Sequence, residues 1–436
     1  MYGITRDILR PSIGICSVFL VSVLSALTNI NIWEFSISAI CVLVIFGAVV
    51  TYGIVDYFMI SSMKNNQNYK IIDRKCVAEI DVGRLKFWGL VVIMLISCVL
   101  YYRDIIYISS KYGVSSSWFE MIKFYRNGSM LGLIEEGISS MATNVYILST
   151  AIAYIFMYIF IHNLIVKKRD KRNFLNIIPV IIFLVNTIFT GGRMPFLRLI
   201  IGAIFIYIFL KSKIDTANRF NVKNFFKIII FITIILWGFA SISELVGRNY
   251  DGNGLYYITS YAGGSIPLLD LFLKDPVYHD IWGYETFPSI LKFIGRQVGN
   301  EQLSQILVNK EFRMLSGYNL GNVYTALRAY ISDFGYFGMI ILTAIHSIIY
   351  SGLYNRLYRK NINWGKIDFS LLFYMYIVHA IYLFSIDDRF YMDLLSITTI
   401  KMLILLWILN FVINGVKINK GMIKIDKRYL PTIRIK

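Results

Sequence analysis

Charge is scarce in this 436-residue chain: 16% of its residues are Asp, Glu, Lys or Arg, against about a quarter in a typical soluble domain. Cysteine is scarcer, with four in all. Cys16, Cys41 and Cys98 fall in apolar runs and Cys76 in a basic connection, so no disulfide framework is available. There is no CxxC pair or His-rich spacing for a metal, and no GxSxG, Walker or DxD motif. The four histidines are scattered, with His162, His346 and His379 in apolar runs and only His279 in a long polar connection. No repeat of fixed period and no low-complexity tract occurs. These absences exclude a disulfide scaffold, a P-loop enzyme and a disordered chain.

What is abundant is apolar sequence, at 57% of residues with a mean hydropathy of +0.60. Runs of about 17–25 apolar residues span a bilayer. Ten are expected here, over 12–29, 35–62, 87–102, 142–166, 174–190, 195–210, 225–241, 334–354, 368–386 and 394–416. The chain therefore reads as an all-α polytopic membrane protein. Residues 1–241 hold seven spans with an external connection at 103–141. Residues 242–333 form one large external loop with short helices, and 334–436 hold three spans and a basic tail.

Charge then orients the spans. One set of connections carries 29 Lys and Arg, the other 14, while acidic residues divide 8 to 17 in the opposite sense. The positive-inside rule places the first set, and both termini, in the cytoplasm. The net charge of +18 is thus a topology signal and no sign of nucleic acid. No small-residue cleavage pattern follows the first run, so no cleavable signal peptide is expected.

Both long connections face outward. In 103–141, Trp118, Ile122 and Tyr125 recur at helical spacing, which suits an interfacial amphipathic helix or a plug on the bundle. In 242–333 a short amphipathic helix is expected over Leu268–Leu273. The loop's tyrosines and Trp282 suit either the membrane interface or stacking on sugar rings.

Three constellations carry chemistry. Thr190-Gly191-Gly192-Arg193-Met194-Pro195 opens the sixth span at its external end. Pro suits a first helical position, so unpaired N–H groups and the positive dipole end point outward there. Gly191 and Gly192 allow close approach, Arg193 adds a bidentate donor, and Arg198 lies one turn deeper, where charge is costly unless used or paired. The set fits a phosphate or pyrophosphate cradle; a topological turn with Arg193 snorkelling to headgroups fits as well. Secondly, Asn322, Tyr324, Arg328 and Asp333 lie on one run, Tyr324 and Arg328 at i, i+4. Arg328 either meets an anion or pairs with Asp333 or Glu244. Thirdly, Arg248 and Arg296 are further external cations, and Glu244, Asp251, Asp270, Asp280, Glu285, Asp387 and Asp388 are external carboxylates among which spacing does not choose a base. Asp387-Asp388-Arg389 is expected to pair within itself. The first external connection offers only Glu34, against enzymes whose large first loop carries acidic metal ligands.

Together these stretches resemble the Wzy-type oligosaccharide repeat-unit polymerases of bacterial O-antigen and capsule synthesis. The resemblance rests on Thr190–Arg193 leading into a span, on Tyr261–Leu273 within a long external loop, and on Asn322–Arg328 running to Asp333-Phe334-Gly335. It covers about a third of the chain. It implies a multi-spanning glycosyltransferase of the bacterial cytoplasmic membrane, without metal or cofactor and inverting. Such an enzyme transfers a glycan from undecaprenyl pyrophosphate to the non-reducing end of an incoming lipid-linked repeat unit. A flippase and a chain-length regulator would be its partners. On this reading Arg193, Arg198, Arg328 and Arg248 stabilise the departing diphosphate, while Gly191, Gly192, Asn322, Tyr324, Tyr261 and Asp333 contact substrate. A ligase that moves glycan to another acceptor would share these arginines, with His279 as its external histidine. A transporter would instead need inverted repeats and mid-span charges, of which only Asp56 and Lys401 are clear.

Overall fold

The computed structural model describes residues 7–62, 77–115, 117–130, 132–134, 136–167, 171–192, 194–214, 254–308, 310–419 and 422–425. The expected seventh span at 225–241 lies outside them, as do Arg193, Glu244, Arg248 and Asp251.

Eight helices among the described residues are long and apolar enough to cross a membrane. They are α1 (Pro11–Thr28), α2 (Ala39–Ser61), α3 (Arg84–Lys111), α5 (Ser140–Val166), α6 (Ile178–Phe189, led by the 3-10 segment Lys171–Ile177), α7 (Met194–Ile214), α11 (Ala326–Arg359) and α13 (Ile397–Gly415). Between them stand α4 (Trp118–Met130), α8 (Gly254–Gly263), α9 (Ser265–Lys274), α10 (Pro288–Val298) and α12 (Phe369–Tyr382). Two small antiparallel hairpins complete the fold: β1 (Arg313–Leu315) with β2 (Tyr318–Gly321), and β3 (Val416–Asn419) with β4 (Met422–Ile425). This is a multi-pass helical membrane protein.

The lipid-facing sides carry Leu43, Phe46, Val99 and Ile404, all exposed, as hydrocarbon solvates such groups as well as a protein core does. Inside, α5 is the central helix, packed by α3, α6, α7 and α13, while α2 lies along α11 and α12 along α7. The third span is longer than the apolar run implied, because α3 continues to Lys111. The expected loop at 103–141 correspondingly starts late. Its helix α4 buries Met121, Ile122 and Tyr125 against Ile105 and Ile108 of α3, in a small cluster of their own.

The described part of the large loop packs on one end of the bundle, here termed the loop face. Gly263 lets α8 lie directly on α1: a Cβ there would stand 2.4 Å from the Ala26 backbone nitrogen. Asn29 donates to Thr259 (3.0 Å) and Trp33 to Tyr256 (3.1 Å) across the same contact. The helix expected at 268–273 extends over all of α9 and is mostly buried, with Ile266, Leu268, Leu269 and Phe272 in the main core and Lys274 exposed. Its Asp270 accepts the Ser38 N–H at 3.0 Å, and Ser38 in turn caps α2. The β1–β2 turn uses Ser316 and Gly317, both at positive φ, the geometry a two-residue hairpin requires.

Two irregularities shape this face. Gly335, at φ 67° and ψ −173°, interrupts α11, in a region open essentially to glycine alone. The stretch before it belongs to the loop face and the stretch after it spans. Further along, α12 is short, and the chain turns back through 383–396. There a π-turn, Phe390–Leu394, pushes Phe390 and Tyr391 into the bundle. Tyr391 donates to the Leu342 carbonyl at 2.8 Å, and Ala326 N donates to Phe384 O at 3.0 Å. Replacing Gly335 by Ala forces this backbone off its minimum. A loss of about 1–3 kcal/mol is expected, read as a lower unfolding temperature of the detergent-solubilised protein.

Candidate functional site

A chain of ion pairs runs across the loop face. Arg198, in the first turns of α7, pairs with Asp393 of the π-turn. Arg389 reaches both Asp393 (3.1 Å) and Asp387 (2.7 Å), so Asp387 and Arg389 pair as their spacing suggested. Lys310, just before β1, closes on Asp387 at 2.7 Å. The five groups comprise three cations and two carboxylates and carry one net positive charge. The Arg198 and Arg389 side chains are 22% and 18% exposed, so this corner is open to a ligand. Each also has a buried Nε–H without a protein acceptor, and such donors suit an anionic oxygen. The Tyr261 phenol lies close enough to Arg389 to act on it electrostatically.

The charges set one another's protonation. Burial alone would raise Asp387, but Lys310 and Arg389 hold it below the usual carboxylate range. Asp393 behaves likewise under Arg198 and Arg389. Asp388 goes the other way: burial, reinforced by the charge of Asp387, pushes it up to about 7. Its Oδ1 accepts from Tyr330 OH (3.2 Å) and from the N–H groups of Phe390 (3.0 Å) and Tyr391 (3.1 Å), while its Oδ2 has no partner. Neighbouring carboxylates pushed apart in this way mark one as a fixed charge and the other as a proton acceptor near neutral pH.

The other expected site residues fall around this chain. Gly191, at φ +63°, lies under the Arg126 side chain, whose Cδ stands 2.6 Å from where a Cβ would be. The Gly192 N–H donates to Thr190 Oγ1 at 3.2 Å. Arg328 is 1% exposed and bonds Glu285 (3.0 Å) and Glu311 (2.6 Å), with the Tyr324 ring 4.0 Å below its guanidinium. Tyr324 OH donates to Glu311 Oε1 at 3.0 Å. Asp333, suggested as its partner, instead accepts the N–H groups of Glu285 (3.1 Å) and Thr286 (2.7 Å). Asn322 sits half-buried between β2 and α11. Because Lys310 and Glu311 are adjacent, the Arg328 cluster and the Arg198 chain form one network.

Asp393, Lys310 and Glu311 are absent from the residues that spacing singled out. Arg389 and Asp393 at i, i+4 were a usable signal. The other pairings bridge distant segments and leave no local trace. Among the described residues, no group of three or more His, Cys, Asp or Glu side chains could hold a metal ion.

Two outcomes follow from these environments. Arg328→Ala leaves buried Glu285 uncompensated and should cost about 3–5 kcal/mol of stability, measured by thermal unfolding in detergent, well above the cost of Arg198→Ala at the open corner. For Asp388 the folded state holds its proton more tightly than the unfolded chain does. Its ionisation therefore removes stability as pH rises from the ordinary carboxylate range to about 7. Asp388→Asn should raise the unfolding temperature at pH 8, by a margin that vanishes towards pH 4.

No family model, curated protein or solved structure matches this chain.

Proposed function

We propose that the chain polymerises lipid-linked oligosaccharide repeat units, with the loop face on the external side of a bacterial cytoplasmic membrane, ten spans, and both termini inside. The observation that carries this reading is the corner where Arg198 and Arg389 converge on Asp393. It is positively charged, about one-fifth exposed, at the end of a membrane-spanning helix, and holds two buried Nε–H groups without a protein acceptor. That is what a lipid diphosphate at headgroup depth requires.

In the proposed reaction a hydroxyl of the incoming unit attacks the anomeric carbon of the donor glycan. The carbon–oxygen bond to the diphosphate breaks, and the hydroxyl proton passes to Asp388. The leaving group is a good one, so the main contribution is stabilising the charge that develops on it, by Arg198 and Arg389, joined in this reading by Arg193 and Arg248. Arg328 anchors Glu285 and Glu311 and keeps the loop registered over the corner. Exposed aromatics of the loop, Trp282 at 80% and Tyr278 at 65%, are suited to stacking on sugars. Undecaprenyl pyrophosphate as carrier, inversion, and a flippase and chain-length regulator as partners come from the family resemblance.

One observation favours a ligase as the second reading. His279 Nε2 lies 3.3 Å from Glu285, whose carboxylate would orient the imidazole as a base.

The test is deletion of the gene in its host, with surface polysaccharide run on a gel. A single repeat unit on the acceptor, restored to a ladder by the wild type, establishes polymerisation. Removing one preorganised donor typically costs on the order of a hundred- to a thousandfold in rate, so well-expressed Arg198→Ala and Arg389→Ala should not restore the ladder. Loss of all glycan from the acceptor with the polymer still made, reproduced by His279→Asn, selects the ligase. Lipid-linked units trapped inside would overturn both.

A further inference from the structure

The spanning part of α11 is built inside out. Its outward side carries Ile340, Ile341, Ile345, Ile348 and Ile349, all exposed. Between Thr343 and Asn355 its buried positions are 343, 346, 347, 350, 351, 354 and 355, and every one bears a hydroxyl, imidazole or amide. These positions step by three and four and form one stripe. At 1.5 Å per residue the stripe is roughly 18 Å long, more than half of a hydrocarbon core of about 30 Å.

Part of the stripe is bonded. His346 Nδ1 meets Tyr52 OH of α2 at 3.1 Å, and Tyr350 OH donates to Ile377 O at 2.7 Å. Part is not: Thr343 Oγ1, His346 Nε2, Ser351 Oγ and Tyr374 OH of α12 are buried without a protein partner. An unsatisfied polar atom in hydrocarbon is costly, and several in one file are groups that bridging water would satisfy. Groups one helical turn apart stand about 5.4 Å from each other. One water, with hydrogen bonds of about 2.8 Å to either side, bridges that spacing.

Both ends of the file reach ionisable groups. Towards the loop face, Phe390 of the π-turn packs on His346 with ring centroids 4.9 Å apart, and the turn holds Asp388 with its unpartnered Oδ2. At the opposite end Asp56, fully buried, accepts from Ser12 Oγ (2.5 Å) and pairs with Arg10 (3.4 Å). One turn along, Tyr354 OH donates at 2.7 Å to Asp7, which is part-exposed. Intramembrane ionisable groups arranged along a path are the signature of proton relays.

We propose that the α11 stripe is a proton path, in which hydroxyls and the His346 imidazole, bridged by water, carry protons between Asp388 on the loop face and the Asp56–Arg10 pair near the opposite face. Each proton taken up at one end is matched by one released at the other. A pH difference drives the transfer and nothing is consumed. The path meets the glycan reaction only at Asp388, its end on the loop face; its other groups lie along the span.

The full-length protein, reconstituted in vesicles of equal parts phosphatidylcholine and phosphatidylglycerol with pyranine inside and potassium–valinomycin clamping the potential, provides the test. A pH step should decay faster than in protein-free vesicles. Thr343→Val and Ser351→Ala remove hydroxyls that bond no protein atom, so they should leave the unfolding temperature unchanged yet slow the decay. His346→Leu should abolish the excess rate. A wild-type protein that holds the gradient as long as protein-free vesicles do overturns the proposal. So does conduction at the wild-type rate in all three variants, since the path would then not run along α11.

Discussion

The carboxylate of Asp393, shared by Arg198 and Arg389, is the joint on which the loop face depends. Hydrocarbon offers no water to neutralise a guanidinium, so a charge one turn inside a span must find a partner in the protein or draw water down to itself. Asp393 supplies that partner from a turn that is not itself a spanning helix. The bond therefore fixes the start of α7 to the segment between α12 and α13. Asp387 extends the same logic to Lys310, and Glu311 passes it to Arg328, until the described loop, the π-turn and three helices share one set of charges.

Within that set, position separates support from action. Arg328 and Glu285 are sealed among Phe272, Tyr324 and the loop backbone, where breaking the pair strands a charge. Arg198 and Arg389 are partly exposed, each with a buried Nε–H that no protein atom accepts. A ligand oxygen entering there joins charges already arranged, so little reorganisation accompanies its arrival. The interior of the spanning bundle follows another rule. Its polar groups are mostly hydroxyls and imidazoles, and several are left without protein partners.

The spans were the most legible part of the chain, because a bilayer demands long apolar runs and places basic residues at their ends. The cluster at Tyr324 and Arg328 was legible as an i, i+4 pair, and the ring does lie 4.0 Å from the guanidinium. The partner suggested for Arg328 was not: Asp333 is five positions on, about 140° round a helix, and turns instead to the backbone of Glu285 and Thr286. Arg198 could be flagged as an anomalous charge, but Asp393 lies 195 positions away, and nothing local connects them. The stripe on α11 was present as spacing. It stayed hidden because Thr, Ser and Tyr barely lower the hydropathy of a span, and only the exposure of the isoleucines shows which side faces inward.

The short α12 has a consequence for how the protein is made. A helix of 14 residues is about 21 Å long, well under the roughly 30 Å of a hydrocarbon core. The turn at 383–396 that follows it bonds α7, α11 and the loop through its backbone and side chains. Those partners are all synthesised earlier. The turn thus settles against elements that the chain before it has already supplied. A chain halted before that step would be inserted in the bilayer yet lack both its central charge joint and one wall of its polar interior. The charge joint is therefore among the last contacts that a growing chain can make.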